Sequence, residues 1–274
     1  MKRLVQKLAG VSGYRIVRDS DDPVLAGLLK AYKSLRRHPD DCLRWDHALA
    51  RLASLSHLRT LLRTLQVDLL IDVGANRGQF AQNARRVGYA GDILSFEPQS
   101  ALFAKLSKLA RRDGRWEVAP CGLGAAASEA TLNVYQDNTF SSLLEVNESG
   151  RQAFGEMVAV THTERVSIRT LDAVLAERGL AQRKRVFLKS DTQGYEAAVL
   201  QGAERTLTTT VALMVEAAVA PIYGGAMELD ELNGIVLPLG FKRAGMFPIG
   251  YAPRAHTLIE MDCFYTREPG AQPR

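Results

Sequence analysis

Cysteine is scarce in this chain: Cys42, Cys121 and Cys263 are the only 3 among 274 residues, and they lie far apart. An odd count with no Cys-x-x-Cys pair argues against a disulfide framework and against a cysteine-held zinc site, and it fits a reducing, cytoplasmic setting. Long apolar runs are missing too. No stretch approaches the roughly 20 residues that a membrane-spanning helix requires. The basic opening, Met-Lys-Arg-Leu-Val-Gln-Lys-Leu-Ala-Gly, lacks the sustained apolar core of a secretory leader. Aromatic residues make up 7% of the chain and rarely interleave with basic ones, so a stacking platform for single-stranded nucleic acid is not indicated. There are no internal repeats.

The apolar content, 46%, suffices for one large α/β core with an extension. The net charge of +5 is unevenly placed: residues 1–66 hold 13 Lys or Arg against 6 Asp. A basic extension suits peripheral contact with an anionic membrane, an acidic acceptor or RNA, although a solvated helical face is the plainer account. Asp21-Asp22-Pro23 predicts the start of an amphipathic helix carrying Val24, Leu25, Leu28, Leu29, Tyr32 and Leu35. His38-Pro39 ends it. Asp40 or Asp41 opens a second helix with a leucine stripe from Leu49 to Leu65. Three segments follow: a helical extension over 1–66, a main domain over 67–268, and a tail over 269–274 with the composition of a disordered terminus.

From residue 68 strand and helix patterns alternate, which predicts an α/β fold with a doubly wound, mostly parallel seven-stranded sheet. Strands are expected at 68–73, 92–96, 116–119, 185–189 and 211–215, with closing strands at 241–245 and 257–266. Helices are expected at 78–87, 98–114, 171–178, 195–201 and 230–238. An insertion over 122–170 carries a strand at 131–135 and a polar loop with Phe140-Ser141-Ser142-Leu143, which suits either a lid or a plain surface turn.

The first strand ends in Asp72-Val73-Gly74-Ala75-Asn76-Arg77-Gly78. A dinucleotide fingerprint needs G-x-G-x-x-G so that the backbone can press against a pyrophosphate. Here Asn76 stands at the middle glycine and the last is missing, which disfavours a dinucleotide oxidoreductase. A turn with an acid but no pyrophosphate seat points to S-adenosylmethionine. Asp72 is expected at the ligand's amino group or fixing the turn, Gly74 and Gly78 where a side chain would crowd ligand or turn, and Asn76 in left-handed backbone. Glu97 ends the second strand, where an acid accepts hydrogen bonds from ribose hydroxyls, with Pro98 beside it at a helix start.

A third cluster, Lys189-Ser190-Asp191-Thr192-Gln193-Gly194-Tyr195-Glu196, follows the fourth strand on the same carboxyl edge, and Glu216 ends the fifth. Three converging carboxylates suit a general base, or a divalent cation held by Asp191 and Glu216. Asp191 is the first candidate for base, with Glu216 and Glu196 as rivals; Lys189 can pair with one of them. His162 and His256 are alternatives by chemistry, although isolated histidines are more often structural.

Four motifs in order, D-V-G-A-N-R-G at 72–78, F-E-P at 96–98, F-S-S-L-L at 140–144 and L-K-S-D-T-Q-G-Y-E with V-L-Q-G-A at 188–203, resemble the FkbM family of methyltransferases. Ser190 departs from the family pattern, which has isoleucine there. The resemblance implies a class I, Rossmann-like methyltransferase fold with a terminal antiparallel hairpin. It also implies S-adenosylmethionine-dependent methylation, usually of oxygen, on sugars, glycolipids or secondary metabolites. Nucleobase methyltransferases commonly carry an Asn/Asp-Pro-Pro-aromatic run after the fourth strand; Ser190-Asp191-Thr192-Gln193 stands there instead, which counts against RNA methylation. The alternatives are a non-catalytic binding protein that keeps the fold and an RNA methyltransferase, the latter motivated only by the basic extension, and a homo-oligomer is left open.

Overall fold

The computed structural model describes residues 23–38, 41–252 and 257–268. The predicted Asp21–Asp22 cap, Asp40, His256 and the 269–274 tail lie outside them.

Two helices, α1 (Pro23–Leu35) and α2 (Cys42–Thr64), precede the sheet. Asp41 starts α2 by accepting the Arg44 amide at 3.0 Å, the bond that an N-cap aspartate supplies. Then β1 (Leu69–Val73), α3 (Gln79–Arg86), β2 (Asp92–Phe96), α4 (Ser100–Ala110) and β3 (Trp116–Ala119) alternate as the sequence pattern predicts. The α4 helix begins two residues beyond Pro98 and stops short of Gly114, whose φ of +78° cannot continue a helix.

The insertion is more ordered than its sequence suggests. β4 (Gly122–Leu123), β5 (Ser128–Tyr135) and β6 (Val160–Arg169) form a separate three-stranded sheet, with α5 (Glu148–Phe154) between β5 and β6. The rest of the main domain follows as α6 (Leu171–Glu177), β7 (Val186–Ser190), α7 (Glu196–Gln201), α8 (Glu204–Thr209), β8 (Thr210–Ala218), α9 (Leu229–Val236), β9 (Lys242–Tyr251) and β10 (Leu258–Thr266).

Seven strands form the main sheet in the order β3-β2-β1-β7-β8-β10-β9. All pairings are parallel except those of β10, which runs antiparallel between β8 and β9. The period of two in β1 sends Leu69, Ile71 and Val73 to a core shared with α6, α7, α8 and α9. Leu70 goes to the opposite core, built with α2, α3 and α4 around Phe187 and Phe264. Strand order reverses between β1 and β7. The crevice at the carboxyl ends of these two strands is where open α/β sheets bind ligands. No helix among the described residues is long and apolar enough to cross a membrane.

Candidate active site

A cavity of about 490 Å³ opens over that crevice, walled by the ends of β1, β2, β7, β8 and β10, by the loop at 138–143, and by α2. The contribution of α2 consists of His47, Arg51, Ser54, Leu55 and Leu58, so the helical extension forms part of the wall.

At one end stands the glycine turn. Gly74 has φ +73°, and a Cβ there would lie 1.8 Å from the Asp191 carbonyl oxygen. The turn thus owes its glycine to the close approach of the β7 loop. Gly78 has φ +78° but faces inward, where a Cβ would strike Leu106 at 2.6 Å and Trp116 at 2.8 Å. Its role is packing of α3 against α4 and β3 rather than room for a ligand. Asn76 does adopt left-handed backbone, at φ +50°. Its amide N–H donates to Glu97 Oε2 at 2.7 Å and its side-chain Nδ2 to the Asn138 carbonyl at 3.2 Å.

Glu97 lies on the cavity wall, 5% exposed. Its second oxygen accepts the Gln99 amide at 2.8 Å, so one backbone N–H fixes each oxygen and lone pairs stay free. Burial pushes its carboxyl up to about 7 against the pull of those two amides. Pro98 lines the wall beside it.

Asp72 does not reach the wall. It is fully buried beneath the turn, 3.2 Å from Lys189 Nζ, and accepts the Ser95 hydroxyl at 3.3 Å. Of the two roles expected of it, direct contact with a ligand is withdrawn and the turn remains. Lys189 is itself buried, and its ammonium also donates to the carbonyls of Val73 and Gly74 at 3.1 and 3.0 Å and pairs with Asp191 at 3.3 Å. Burial works against its charge, but Asp191 and Asp72 outweigh it and hold the ammonium protonated.

At the other end the wall is acidic. Asp191, Glu216, Glu260 and Asp262 all line it. Glu216 and Asp262 lie directly opposite each other in the β8–β10 register, an arrangement that raises the cost of ionising both. Burial, then the Asp191 charge, pushes Glu260 and Asp262 each up to about 7, and the same causes push Glu216 well above its ordinary range. Burial also works against the charge of Asp191, but Lys189 and Gln193 outweigh it and keep its carboxyl low. Asp191 is thereby the weakest base of the four, contrary to its place as first candidate.

The side-chain amide of Gln193, on left-handed backbone at φ +56°, donates to Asp191 at 3.0 Å and to Glu216 at 2.5 Å. A hydrogen-bond donor thus sits where a cation between the two would have to bind. Among the described residues no group of three or more His, Cys, Asp or Glu is arranged to hold a metal ion, and the expected Asp191–Glu216 cation site is withdrawn. Glu196 is likewise removed from the candidates for base. It is buried off the wall, accepting the Thr192 amide at 2.7 Å and its hydroxyl at 3.0 Å, which closes the turn. His162 is exposed on β6 beside Glu164, away from the cavity. The loop at 138–143 is tied to the carboxylate end: Tyr223 OH lies 2.9 Å from the Phe140 carbonyl and 2.8 Å from Gln193 Oε1. Ser142 Oγ donates to the Gln193 carbonyl at 2.7 Å. Ser190 is fully buried with no partner for its hydroxyl, so the departure from isoleucine leaves an unpaired polar atom in the sheet.

Glu260 and Asp262 read in the sequence only as alternating residues of a closing strand, and it is the pairing of β10 with β8 that brings them to the site. Gln99 carries no sequence signal, whereas the N-terminal helices read as a cover beside the main domain, without a pattern that says which α2 residues reach the wall. The raised carboxyls have a consequence for stability. Each holds a proton in the native state at pH values where the unfolded chain has released it, so their contribution is complete below the ordinary carboxylate range and is lost as pH rises through about 7. The melting temperature of the ligand-free protein is expected to fall by several degrees between about pH 5.5 and about pH 8. Glu260→Gln should flatten that slope, and an unchanged slope in scanning calorimetry would contradict the assignment.

A parallel sheet with one antiparallel strand inserted next to its edge, and a ligand-sized cavity at the switch point, define the class: a Rossmann-like, class I methyltransferase fold. The model of the methyltransferase FkbM domain matches residues 72–243. The chain belongs to the FkbM methyltransferase family. No curated protein matches it. Among solved structures it is similar to methyltransferase FkbM from Methylobacillus flagellatus KT, at 14% identity over 97% of this chain and 70% of that one, with a TM-score of 0.46. It is also similar to an rRNA methylase from Streptococcus thermophilus, at 12% identity over 80% of this chain and 96% of that one, TM-score 0.41. A third is magnesium protoporphyrin IX methyltransferase from Synechocystis PCC 6803 with bound SAM, at 11% identity over 92% and 99%, TM-score 0.39.

Proposed function

We propose that this methyltransferase uses S-adenosylmethionine to methylate a hydroxyl oxygen on a small-molecule acceptor, of the sugar, glycolipid or secondary-metabolite kind. The observation that carries the reading is one cavity with two unlike ends, a glycine turn with Glu97 at one and a wall of carboxylates at the other. The fit of the cofactor rests on orphaned polar atoms. Asn76, Gln99 and Ser141 line this wall, and each carries a buried polar atom, Oδ1, Oε1 and Oγ, that has no partner among the described residues. Glu97 would accept the ribose hydroxyls, and the turn from Gly74 to Asn76 would support the amino-acid portion.

When bound, the cofactor supplies a methyl group already activated by its sulfonium, so the reaction needs mainly alignment. The protein's own task is to take the proton that the acceptor hydroxyl loses. Glu260 fits this best. Burial and then the Asp191 charge push its carboxyl up to about 7, which makes it a stronger base than an ordinary carboxylate, and no hydrogen bond from the described residues opposes that push. Glu216 is the second candidate, restrained by the Gln193 amide. Asp191, paired with Lys189, places a fixed negative charge beside the pair. The basic α1–α2 segment would suit an acceptor held at an anionic lipid surface.

Titration calorimetry with S-adenosylhomocysteine tests the cofactor half. Wild-type protein should bind, and Glu97→Ala should lose about 1–3 kcal/mol of affinity through the lost hydrogen bonds to the ribose hydroxyls. Absence of binding to wild type would sink the reading. For the acceptor half, labelled methyl transfer to a panel of glycosylated hydroxyl acceptors should fall about 10²–10⁴-fold in Glu260→Gln, with cofactor affinity retained. Full turnover in that variant would move the base elsewhere.

A further inference from the structure

Helix α1 is apolar on two sides, and only one of them is covered. Gly27 lies against α2, where a Cβ would fall 2.8 Å from Leu52 Cδ2. Val24 packs on the core around Phe187 and Phe264, and Leu35 is buried. The next rows around the helix face solvent. Leu28, Tyr32 and Arg36 follow one another at four-residue spacing in one row, with Leu29, Lys33 and Arg37 in the row beside it. Arg36 continues the last helical turn, its amide donating to the Tyr32 carbonyl at 2.9 Å. Its guanidinium lies over the Tyr32 ring, 6.0 Å from the centroid. Leu28 is 46% exposed and Tyr32 51%.

The charge on this face has one sign. Residues 23–38 contain no acid, and Lys30, Lys33, Arg36 and Arg37 are all exposed. Basic residues late in a helix complement its dipole, but the dipole does not call for an exposed leucine and tyrosine among them. Nucleic acid does not call for them either, since phosphate contacts use the charges alone and a single tyrosine is no stacking platform. Apolar side chains interleaved with lysine and arginine on one solvent face match an anionic bilayer surface. There the apolar groups enter the boundary between headgroups and acyl chains while the cations meet the lipid phosphates.

The helix beneath α1 is the one that walls the cavity. Leu52 of α2 meets α1, whereas Leu55 and Leu58, further along α2, line the cavity together with the exposed Arg51. A surface that holds α1 therefore holds this wall close to the headgroups.

We propose that the outer face of α1, built from Leu28, Tyr32, Lys33 and Arg36, docks the protein on an anionic lipid surface and brings the cavity to acceptors carried there. The inference deepens the acceptor reading above by giving its lipid surface a contact face; the docking itself does not depend on methyl transfer.

Sedimentation of the full chain with extruded vesicles tests it. The vesicles are phosphatidylcholine alone, or phosphatidylcholine with about one third phosphatidylglycerol. Wild type should bind the anionic vesicles about tenfold or more tightly than the neutral ones, and the preference should vanish in about 0.5 M salt. Lys33→Glu combined with Arg36→Glu should weaken binding to anionic vesicles about tenfold or more. Leu28→Ser combined with Tyr32→Ser should weaken it about fivefold or more at unchanged charge. No binding by wild type, or equal binding to both kinds of vesicle, overturns the proposal. Binding unaltered in both double variants also overturns it, because the contact then lies elsewhere in the chain. Loss of RNA retention in the charge variant with vesicle binding intact assigns the face to RNA and overturns it likewise. Both variants should bind S-adenosylhomocysteine as wild type does, which shows that they are folded. A wild type that sediments with anionic vesicles but does not bind S-adenosylhomocysteine keeps the docking face and loses the cofactor reading, so the two failures are distinct.

Discussion

Lys189→Met is expected to cost about 3–5 kcal/mol of stability, the penalty for leaving buried charge without its partner. The lysine is 3% exposed and Asp72 is completely buried. Its ammonium is the cation at the centre of the site: 3.2 Å from Asp72, 3.3 Å from Asp191, and bonded to the carbonyls of Val73 and Gly74. Methionine fills a similar volume, so the loss is electrostatic rather than a cavity. Burial already pushes the Asp72 carboxyl up, with Lys189 opposing that push. Without the ammonium, Asp72 would be protonated, and Asp191 would lose the pairing that keeps it ionised. Urea denaturation reads the effect as a lower midpoint at an unchanged slope. A midpoint within experimental error of wild type would mean that the pair is not the brace described above. The double variant Lys189→Met with Asp72→Leu should recover part of the loss, because removing both charges is far less costly than removing one.

The second large effect is at Gly74. An alanine there meets the Asp191 carbonyl oxygen at 1.8 Å and its carbon at 2.9 Å, on backbone with φ +73° that already disfavours a side chain. Neither obstacle is a flexible side chain that can step aside, so the β7 loop must move. The expected result is a loss of about 3 kcal/mol or more, or a folded protein that no longer binds S-adenosylhomocysteine. Gly88 separates strain from collision. Its φ is +96°, but nothing lies within 4 Å of an added Cβ. Gly88→Ala should therefore cost only about 1 kcal/mol, the backbone contribution alone. Equal losses at the two sites in chemical denaturation would show that the close approach to Asp191 carries no weight.

Local signals make the glycine-turn end of the site readable. The Asp72–Gly78 turn, Glu97 and the Lys189–Glu196 segment each follow a strand with a strong apolar run, so their position on one sheet edge follows from chain order. What the pattern could not give was direction within the edge. Asp72 and Asp191 both read as acids at strand ends, but one points under the turn with Lys189 and the other onto the wall. Glu196 looked like a third reactive carboxylate and is instead spent on the Thr192–Gly194 turn. Glu260 and Asp262 belong to the site only because β10 inserts beside β8, a pairing between residues far apart in the chain. β6 escaped notice because much of it is exposed and polar, and α8 because Glu204–Thr209 is short and rich in threonine, its amides capped from a distance by Asp172.

The hydroxyl of Tyr223 has one proton and two acceptors within reach, the Phe140 carbonyl of the insertion and the Gln193 amide oxygen of the sheet edge. That single proton gears the loop to the charges. Gln193 in turn donates to Asp191 and Glu216, so the insertion, the tyrosine and both carboxylates form one hydrogen-bonded chain, and a change at any link alters what the carboxylates are offered.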